Sequence, residues 1–168
     1  MSTPVAASND LPLSVEEALA RLVSPQWAAT RAQALHDGSQ VVRHEPRPGG
    51  GVLVTVSREL PSGGPGLLER FLPKDGRVVQ TDEWESAVGG ARSGRWRAEL
   101  AGAPVSLGGT MRLEPRGTGS RWTIEGEVAV RVPLVGGKAE RFVADMVGRL
   151  AVKEGELLKQ VVAGRPAG

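Results

Sequence analysis

One carboxylate in the C-terminal part of the chain lies where the sequence otherwise predicts an apolar helix face. On a helical wheel of about 100° per residue, Glu154 falls between Leu150 and Leu157, near the middle of the apolar stripe. A buried carboxylate without a partner is costly. Glu154 is therefore expected to pair with a cation from the sheet, to be neutral and hydrogen-bond a ligand, or to lie at the wet mouth of a cavity. A structural ion pair, or a helix end that overhangs the sheet, is the alternative without function.

Two further polar side chains are predicted to face the same space from neighbouring strands. Arg58 continues the apolar face of its strand and is the candidate cation for Glu154, while Asp82 shares a strand face with Gln80 and Trp84. In an enzyme, an acid or base in such a cavity needs a pKa near the working pH, and Glu154 and Asp82 are the two candidates. The chain has no tyrosine and no histidine predicted to face inward, which disfavours an enzyme.

Neither a metal site nor a cofactor site is predicted. His36 and His44 are the only histidines, and their spacing does not bring three or four ligands together. The absence of cysteine removes thiolate ligands, disulfides and cysteine nucleophiles. The stretch Val135–Lys138 is similar to part of a phosphate-binding loop. The first glycine and the final Ser or Thr of that pattern are replaced by Val132 and Ala139, which predicts a structural turn.

The charge pattern argues against nucleic acid as a partner. The chain has 21 Lys and Arg against 19 Asp and Glu, a formal net charge of +2, and the two signs alternate along it. Arg95 and Arg97 flank Trp96. Strand alternation puts the tryptophan inside and both arginines on a solvated face, so this cluster does not predict a nucleic-acid site.

Helical periodicity predicts two short helices near the N-terminus and one long helix near the C-terminus. Ser14 and Ser24 precede the short helices and are expected to cap them. The long amphipathic helix is predicted over Lys138–Val162. Gly148 and Gly155 fall on its polar side. We expect them to weaken a solvent-exposed face rather than to mark a close approach to the sheet.

Between these helices the apolar period changes from 3.6 to 2, which predicts antiparallel strands that bury one face. Turn-forming glycines and prolines separate the strands at hairpin spacing. The insert at Pro61–Pro65 and the short apolar piece after it are expected to form a lid or an edge crossover. The predicted strands are Ser39–Glu45, Gly51–Glu59, Arg77–Ala87, Arg92–Leu100, Val105–Pro115 and Ser120–Val132.

The element order and three short segments resemble one family. The segments are Thr81-Asp82-Glu83-Trp84, Gly102-Ala103-Pro104 and Val132-Pro133-Leu134-Val135-Gly136-Gly137-Lys138-Ala139-Glu140. They are similar to an uncharacterised actinobacterial family within the START-like (SRPBCC) superfamily, and the resemblance covers Leu13 to Val161. It implies an α+β helix-grip fold, in which a curved antiparallel sheet of six or seven strands wraps around the long C-terminal helix. Two short helices would follow the first strand. The resemblance implies little about chemistry.

The length of 168 residues predicts one domain, placed at residues 13–162. Residues 1–12 are expected to be a weak first strand or partly disordered, because Val5–Leu11 is a poor strand sequence, and 163–168 a flexible tail. The start of the chain has no signal-peptide pattern, and no apolar run approaches the roughly 20 residues of a membrane span. Together with the absence of cysteine, this favours a cytoplasmic protein of undetermined oligomeric state.

The leading functional hypothesis is binding or carriage of an apolar small molecule or lipid-like ligand between the sheet and the long helix. A polyketide cyclase/dehydrase-like enzyme that uses a cavity carboxylate is the alternative, and a protein-interaction module such as a chaperone cofactor is a third class. The same aromatic residues could instead fill a packed core. The candidate wall is Trp84, Trp96, Met111, Trp122, Met146, Leu150 and Leu157, with Glu154, Arg58 and Asp82 as polar anchors.

Overall fold

A seven-stranded antiparallel sheet and three α-helices make up the part of the chain that the computed structural model describes, residues 2–60, 70, 73 and 76–164. The strand order in the sheet is β1-β7-β6-β5-β4-β3-β2. This is the predicted helix-grip fold. The elements are β1 (Thr3–Leu11), α1 (Val15–Leu22), α2 (Pro25–Leu35), β2 (Gln40–Pro46), a 3-10 turn (Pro48–Gly50), β3 (Val52–Glu59), β4 (Arg77–Trp84), β5 (Arg92–Leu100), β6 (Val105–Arg116), β7 (Gly119–Val130) and α3 (Gly136–Val162).

The first strand is more regular than its composition predicts. All nine residues of β1 pair with β7, from Thr3 opposite Val128 to Leu11 opposite Ser120. Because β1 is an edge strand, the missing N–H of Pro4 is tolerated there. Long-range pairing and burial of its apolar residues against the core therefore outweigh its poor strand propensity. The predicted lid at 61–72, apart from Arg70, and most of the predicted tail at 163–168 lie outside the described residues.

The two short helices begin where the sequence predicts. The Ser14 hydroxyl accepts a hydrogen bond from the Glu17 N–H at 3.2 Å, and the Ser24 hydroxyl accepts one from the Trp27 N–H at 3.1 Å. Each bond satisfies one of the N–H groups that a helix start leaves without a partner. The second helix ends at His36, which adopts a left-handed conformation with φ of 52°. The second helix packs against β2 and contributes side chains to the site described below.

The start of the long helix is fixed to the sheet by a buried carboxylate. Glu140 is 2% exposed, and its side chain accepts hydrogen bonds from the Val130 N–H at 3.0 Å and from the Thr3 hydroxyl at 3.3 Å. The first contact joins α3 to the end of β7, and the second joins it to β1. Further along, Leu157 and Leu158 of α3 are buried in the core. In the described part of the chain, no helix combines the length and apolar character needed to cross a bilayer.

The prediction for Gly155 is wrong, whereas Gly148 behaves as expected. Gly155 is buried, and a Cβ there would overlap the side-chain amide of Asn9 on β1. The Asn9 amide donates a hydrogen bond to the Ala151 carbonyl at 3.1 Å. A Cβ at Gly148 would meet no atom within 4 Å. The helical wheel places both glycines on its polar side, but α3 also packs against β1, and Gly155 faces Asn9 of that strand.

Candidate functional site

A cavity of about 150 Å³ lies between the concave face of the sheet and the helices α2 and α3. Its described walls come from these two helices, from strands β2 to β7, from Leu22 at the end of α1 and from Ser24 in the segment that joins α1 to α2. The four tryptophans of the chain all contact it: Trp27, Trp84, Trp96 and Trp122. Most of the wall is aromatic or aliphatic, and its polar side chains other than Ser24 lie on α2, α3, β3 and β4.

Nine of the ten side chains predicted for the site line this cavity. They are Glu154, Arg58, Asp82, Trp84, Trp96, Met111, Trp122, Met146 and Leu150. The exception is Leu157, which is 6% exposed and packs in the same core cluster as Leu13 and Leu19. Leu157 belongs to the apolar stripe, as predicted, but is absent from the described cavity wall. A position on the apolar stripe thus predicts that a side chain is buried. It does not predict whether the side chain packs in the core or lines the cavity.

The absence of a side chain at Gly126 allows the Trp96 ring to lie close to the sheet. In the sheet register, Trp96 on β5 is opposite Gly109 on β6, which is opposite Gly126 on β7. A Cβ at Gly126 would stand 2.7 Å from the Trp96 ring, and the ring N–H donates to the Glu125 carbonyl at 3.1 Å. The ring is therefore fixed against the neighbouring strands, where it forms part of the cavity wall.

Glu154 is paired, and its nearest cation is one that the sequence analysis did not name. The Nε atom of Arg31 on α2 is 2.5 Å from the Glu154 carboxylate, whereas Nη1 of Arg58, the predicted partner, is 3.9 Å away. The closest partner therefore comes from a helix and not from the sheet. A signal for it was available, because Arg31 lies four residues after Trp27 and so on the same helix face.

Arg31 connects three parts of the molecule. Its Nη1 atom is 2.7 Å from the Asp37 carboxylate and 2.8 Å from the Ser39 hydroxyl, both just beyond the end of α2. Its Nε contacts Glu154 on α3. The Arg31 side chain is 5% exposed, and those of Asp37 and Glu154 are both 16% exposed. Two carboxylates therefore compensate one buried guanidinium at this end of the cavity.

The other polar anchors form a chain across β3 and β4. Arg58 donates from Nη2 to the Gln80 carbonyl oxygen at 2.5 Å, and the Gln80 amide nitrogen donates to Asp82 at 2.9 Å. In the register of these strands, Arg58 is opposite Val78 and Asp82 is opposite Val54, so all three polar residues share the concave face. The amide of Gln80 is held at both ends, which fixes the orientation of Asp82 at the cavity.

The two arginines that flank Trp96 and the two histidines of the chain lie outside the cavity wall described above. Arg95 and Arg97 are exposed and Trp96 is buried, as strand alternation predicts. His44 is exposed, and His36 ends α2. Within the described ranges, no group of three or more histidine, cysteine, aspartate or glutamate side chains is arranged to hold a metal ion.

Comparison with known sequences gives the family. Residues 6–162 match the model of a family described as Protein of unknown function (DUF2505). The chain belongs to this family. Uncharacterised proteins of Mycobacterium tuberculosis and Mycobacterium bovis are 32% identical to this DUF2505 chain over 92 residues, 54% of this chain and 53% of theirs. The chain thus spans about half the length of the curated relatives it matches.

Solved structures show that this DUF2505 chain has the START-like fold. The protein TTHA0849 from Thermus thermophilus is 16% identical, with a TM-score of 0.63 over 95% of this chain and 99% of that one. A STAR-related lipid transfer protein from Xanthomonas axonopodis is 13% identical, with a TM-score of 0.54 over 93% and 83%. A START superfamily protein from Mycobacterium smegmatis is 10% identical, with a TM-score of 0.53 over 94% and 98%. At these identities the likeness concerns the fold.

The electrostatics of the DUF2505 site single out Asp82 among the cavity carboxylates. Burial raises the pKa of Asp82 to about 6, against the lowering effects of the Gln80 hydrogen bond and of the Arg58 charge. The charge of Glu154 raises it further and that of Arg31 lowers it. Burial, with the neighbouring Arg31 charge, lowers the pKa of Arg58. Asp82 can therefore exchange a proton near neutral pH.

We expect Asp82→Asn to make the protein more stable at pH 7 than the unaltered chain. A pKa shift of one unit corresponds to about 1.36 kcal/mol of stability. Because Asp82 is only partly shielded from solvent, the full shift is not realised and we expect a gain on the order of 1 kcal/mol. The folded state binds the Asp82 proton more tightly than the unfolded state, so the stability of the unaltered protein falls as pH rises from 3.8 to about 6. The difference between the two proteins should vanish near pH 4. Urea unfolding at pH 4 and pH 7 measures it, and an equal difference at both values would contradict the assignment.

Proposed function

We propose that this chain binds a small apolar molecule in the cavity between its sheet and α3. The observation that carries the proposal is the cavity itself, about 150 Å³ of space bounded mainly by tryptophan, methionine and aliphatic side chains. Ligand sites are concave and mostly apolar, with a few polar groups that orient the ligand. The STAR-related lipid transfer protein from Xanthomonas axonopodis shares the fold, which supports ligand binding by analogy.

The size of the cavity favours a compact ligand over a long-chain lipid. An engineered cavity of about 150 Å³ with apolar walls binds benzene, whereas sites for drug-sized molecules measure about 300–1,000 Å³. A ligand of one ring therefore fits the space as it stands. The polar side chains near Glu154 and Asp82 orient the ligand at one end of the cavity.

Filling the cavity tests the proposal. Ala98 on β5 is 4% exposed and lines the cavity, so Ala98→Leu places a larger side chain inside it. We expect the unaltered protein to bind ethylbenzene and the variant to bind it at least about tenfold more weakly, a loss of roughly 1.4 kcal/mol. Titration calorimetry measures the affinity, and tryptophan emission reports binding independently, because all four tryptophans contact the cavity.

The matched control is Ala129→Leu, on the opposite face of the sheet from the buried Val128 and Val130. This variant should bind ethylbenzene as the unaltered protein does. If the unaltered protein binds no ethylbenzene up to the solubility of the compound, the cavity is not a ligand site and the proposal fails. If Ala98→Leu and Ala129→Leu bind ethylbenzene equally well, the ligand binds outside this cavity.

A second candidate is an enzyme in which Asp82 transfers a proton. The raised pKa of Asp82 and its place on the cavity wall favour it, since a general acid or base works best near the ambient pH. A catalytic role predicts that Asp82→Asn abolishes turnover of a bound substrate while affinity is kept. We place this function second, because the other cavity carboxylate, Glu154, is engaged by Arg31.

A further inference from the structure

The two guanidinium groups at the polar end of the cavity keep donors that nothing in the described part of the chain accepts. Nη2 of Arg31 and Nε of Arg58 are buried and have no hydrogen-bond partner among the described residues. The Arg31 side chain is 5% exposed, that of Arg58 is 14% exposed, and both line the cavity. Leaving a buried charged donor without an acceptor is unfavourable. A ligand that supplies an acceptor at this end removes that cost.

The charges around these donors determine what kind of acceptor fits. Arg31 and Arg58 are both close to the Glu154 carboxylate, at 2.5 and 3.9 Å, and Arg31 also pairs with Asp37. Two cations are thus matched by two carboxylates, and Asp82 adds a third carboxylate beside them. An anionic ligand would bring a further negative charge next to Glu154 and Asp82. A cationic ligand would meet two guanidinium groups. An uncharged acceptor avoids both penalties.

We propose that the ligand is a compact, uncharged molecule of about one ring that carries a carbonyl-type oxygen, and that this oxygen accepts hydrogen bonds from the free N–H groups of Arg31 and Arg58. The inference rests on the proposed function and deepens it. The apolar ring occupies the space between the tryptophans, and the oxygen lies at the end formed by α2, β3 and α3. A hydrogen bond to a charged donor in a buried place is stronger than one between neutral groups. Affinity then depends on the oxygen as well as on the ring.

Four probes with the same aromatic ring test this: ethylbenzene, acetophenone, benzoate and benzylamine, titrated into the full chain by calorimetry. Acetophenone is expected to bind about tenfold or more tightly than ethylbenzene, since hydrogen bonds to charged groups are worth at least that factor. Benzoate and benzylamine should bind more weakly than acetophenone. Either of them binding most tightly would overturn the inference and still support a cavity site.

A variant at Arg58 tests whether the ligand oxygen accepts a hydrogen bond there or whether the ring alone accounts for binding. Arg58→Lys keeps the charge but removes the Nε donor and the planar fork. The ratio of acetophenone to ethylbenzene affinity should then fall to within about threefold, whereas a tenfold ratio corresponds to about 1.4 kcal/mol. Arg97→Lys is the matched control, since the Arg97 side chain is 70% exposed, and it should leave the ratio unchanged.

The outcomes distinguish this inference from the proposed function. If no probe binds, the proposed function fails and this inference falls with it. If ethylbenzene and acetophenone bind equally well, the cavity is a ligand site but the N–H groups of Arg31 and Arg58 do not bind a ligand oxygen. In that case only this inference fails. If Arg58→Lys does not fold, the ratio measured on the unaltered chain still decides the question.

Discussion

Replacing Arg31 by Met is expected to lower the free energy of unfolding by about 3–5 kcal/mol, the cost of removing one partner of a buried ion pair. The side chain is 5% exposed and holds Asp37, Ser39 and Glu154 around it. Methionine fills similar space but leaves two carboxylates without their cation. Urea unfolding at pH 7 measures the loss. The effect should be larger than that of any exposed arginine.

Arg97→Met is the control for this variant, and it should change stability by no more than about 0.5 kcal/mol, since the Arg97 side chain is 70% exposed. Glu154→Gln should cost less than Arg31→Met, because Arg31 keeps its contact with Asp37. If Glu154→Gln instead leaves stability unchanged and weakens ligand binding, Glu154 is a ligand anchor rather than a structural partner. A loss below about 1 kcal/mol for Arg31→Met would contradict the ion-pair account.

Gly155→Ala is expected to destabilise the protein by about 1–3 kcal/mol, the usual cost of overpacking a filled site. The new methyl group would overlap the Asn9 side chain, which is 7% exposed. Asn9 would have to turn away and give up its hydrogen bond to the Ala151 carbonyl. Thermal or urea unfolding detects the loss.

Gly148→Ala supplies the matched control on the same helix. A Cβ at Gly148 meets no atom within 4 Å, so alanine should stabilise α3 by about 0.5–1 kcal/mol through its better helix propensity. Opposite signs for the two substitutions would confirm that α3 touches β1 at Gly155 and is open at Gly148. Two stabilising substitutions would mean that Asn9 moves aside without cost, against the packing described above.

Local patterns in the sequence predicted which way side chains point from their own element. Strand alternation placed Asp82, Trp84 and Trp96 on the concave face, and helical periodicity placed Met146 and Glu154 on the inner face of α3. These predictions succeed because the directions follow from backbone geometry alone, with a period of 2 in a strand and 3.6 in a helix. Ser14 and Ser24 cap their helices for an equally local reason, since each accepts a hydrogen bond three residues ahead.

The tertiary structure decided which elements face each other, and with that the chemistry of the site. A wheel shows that Glu154 points inward, but only the packing of α2 beside the sheet brings Arg31 closer to it than Arg58. Gly155 falls on the polar side of the wheel, yet it is buried because Asn9 of β1 packs against it. Contacts between residues more than a hundred positions apart depend on how whole surfaces fit together, and a local period carries no information about that fit.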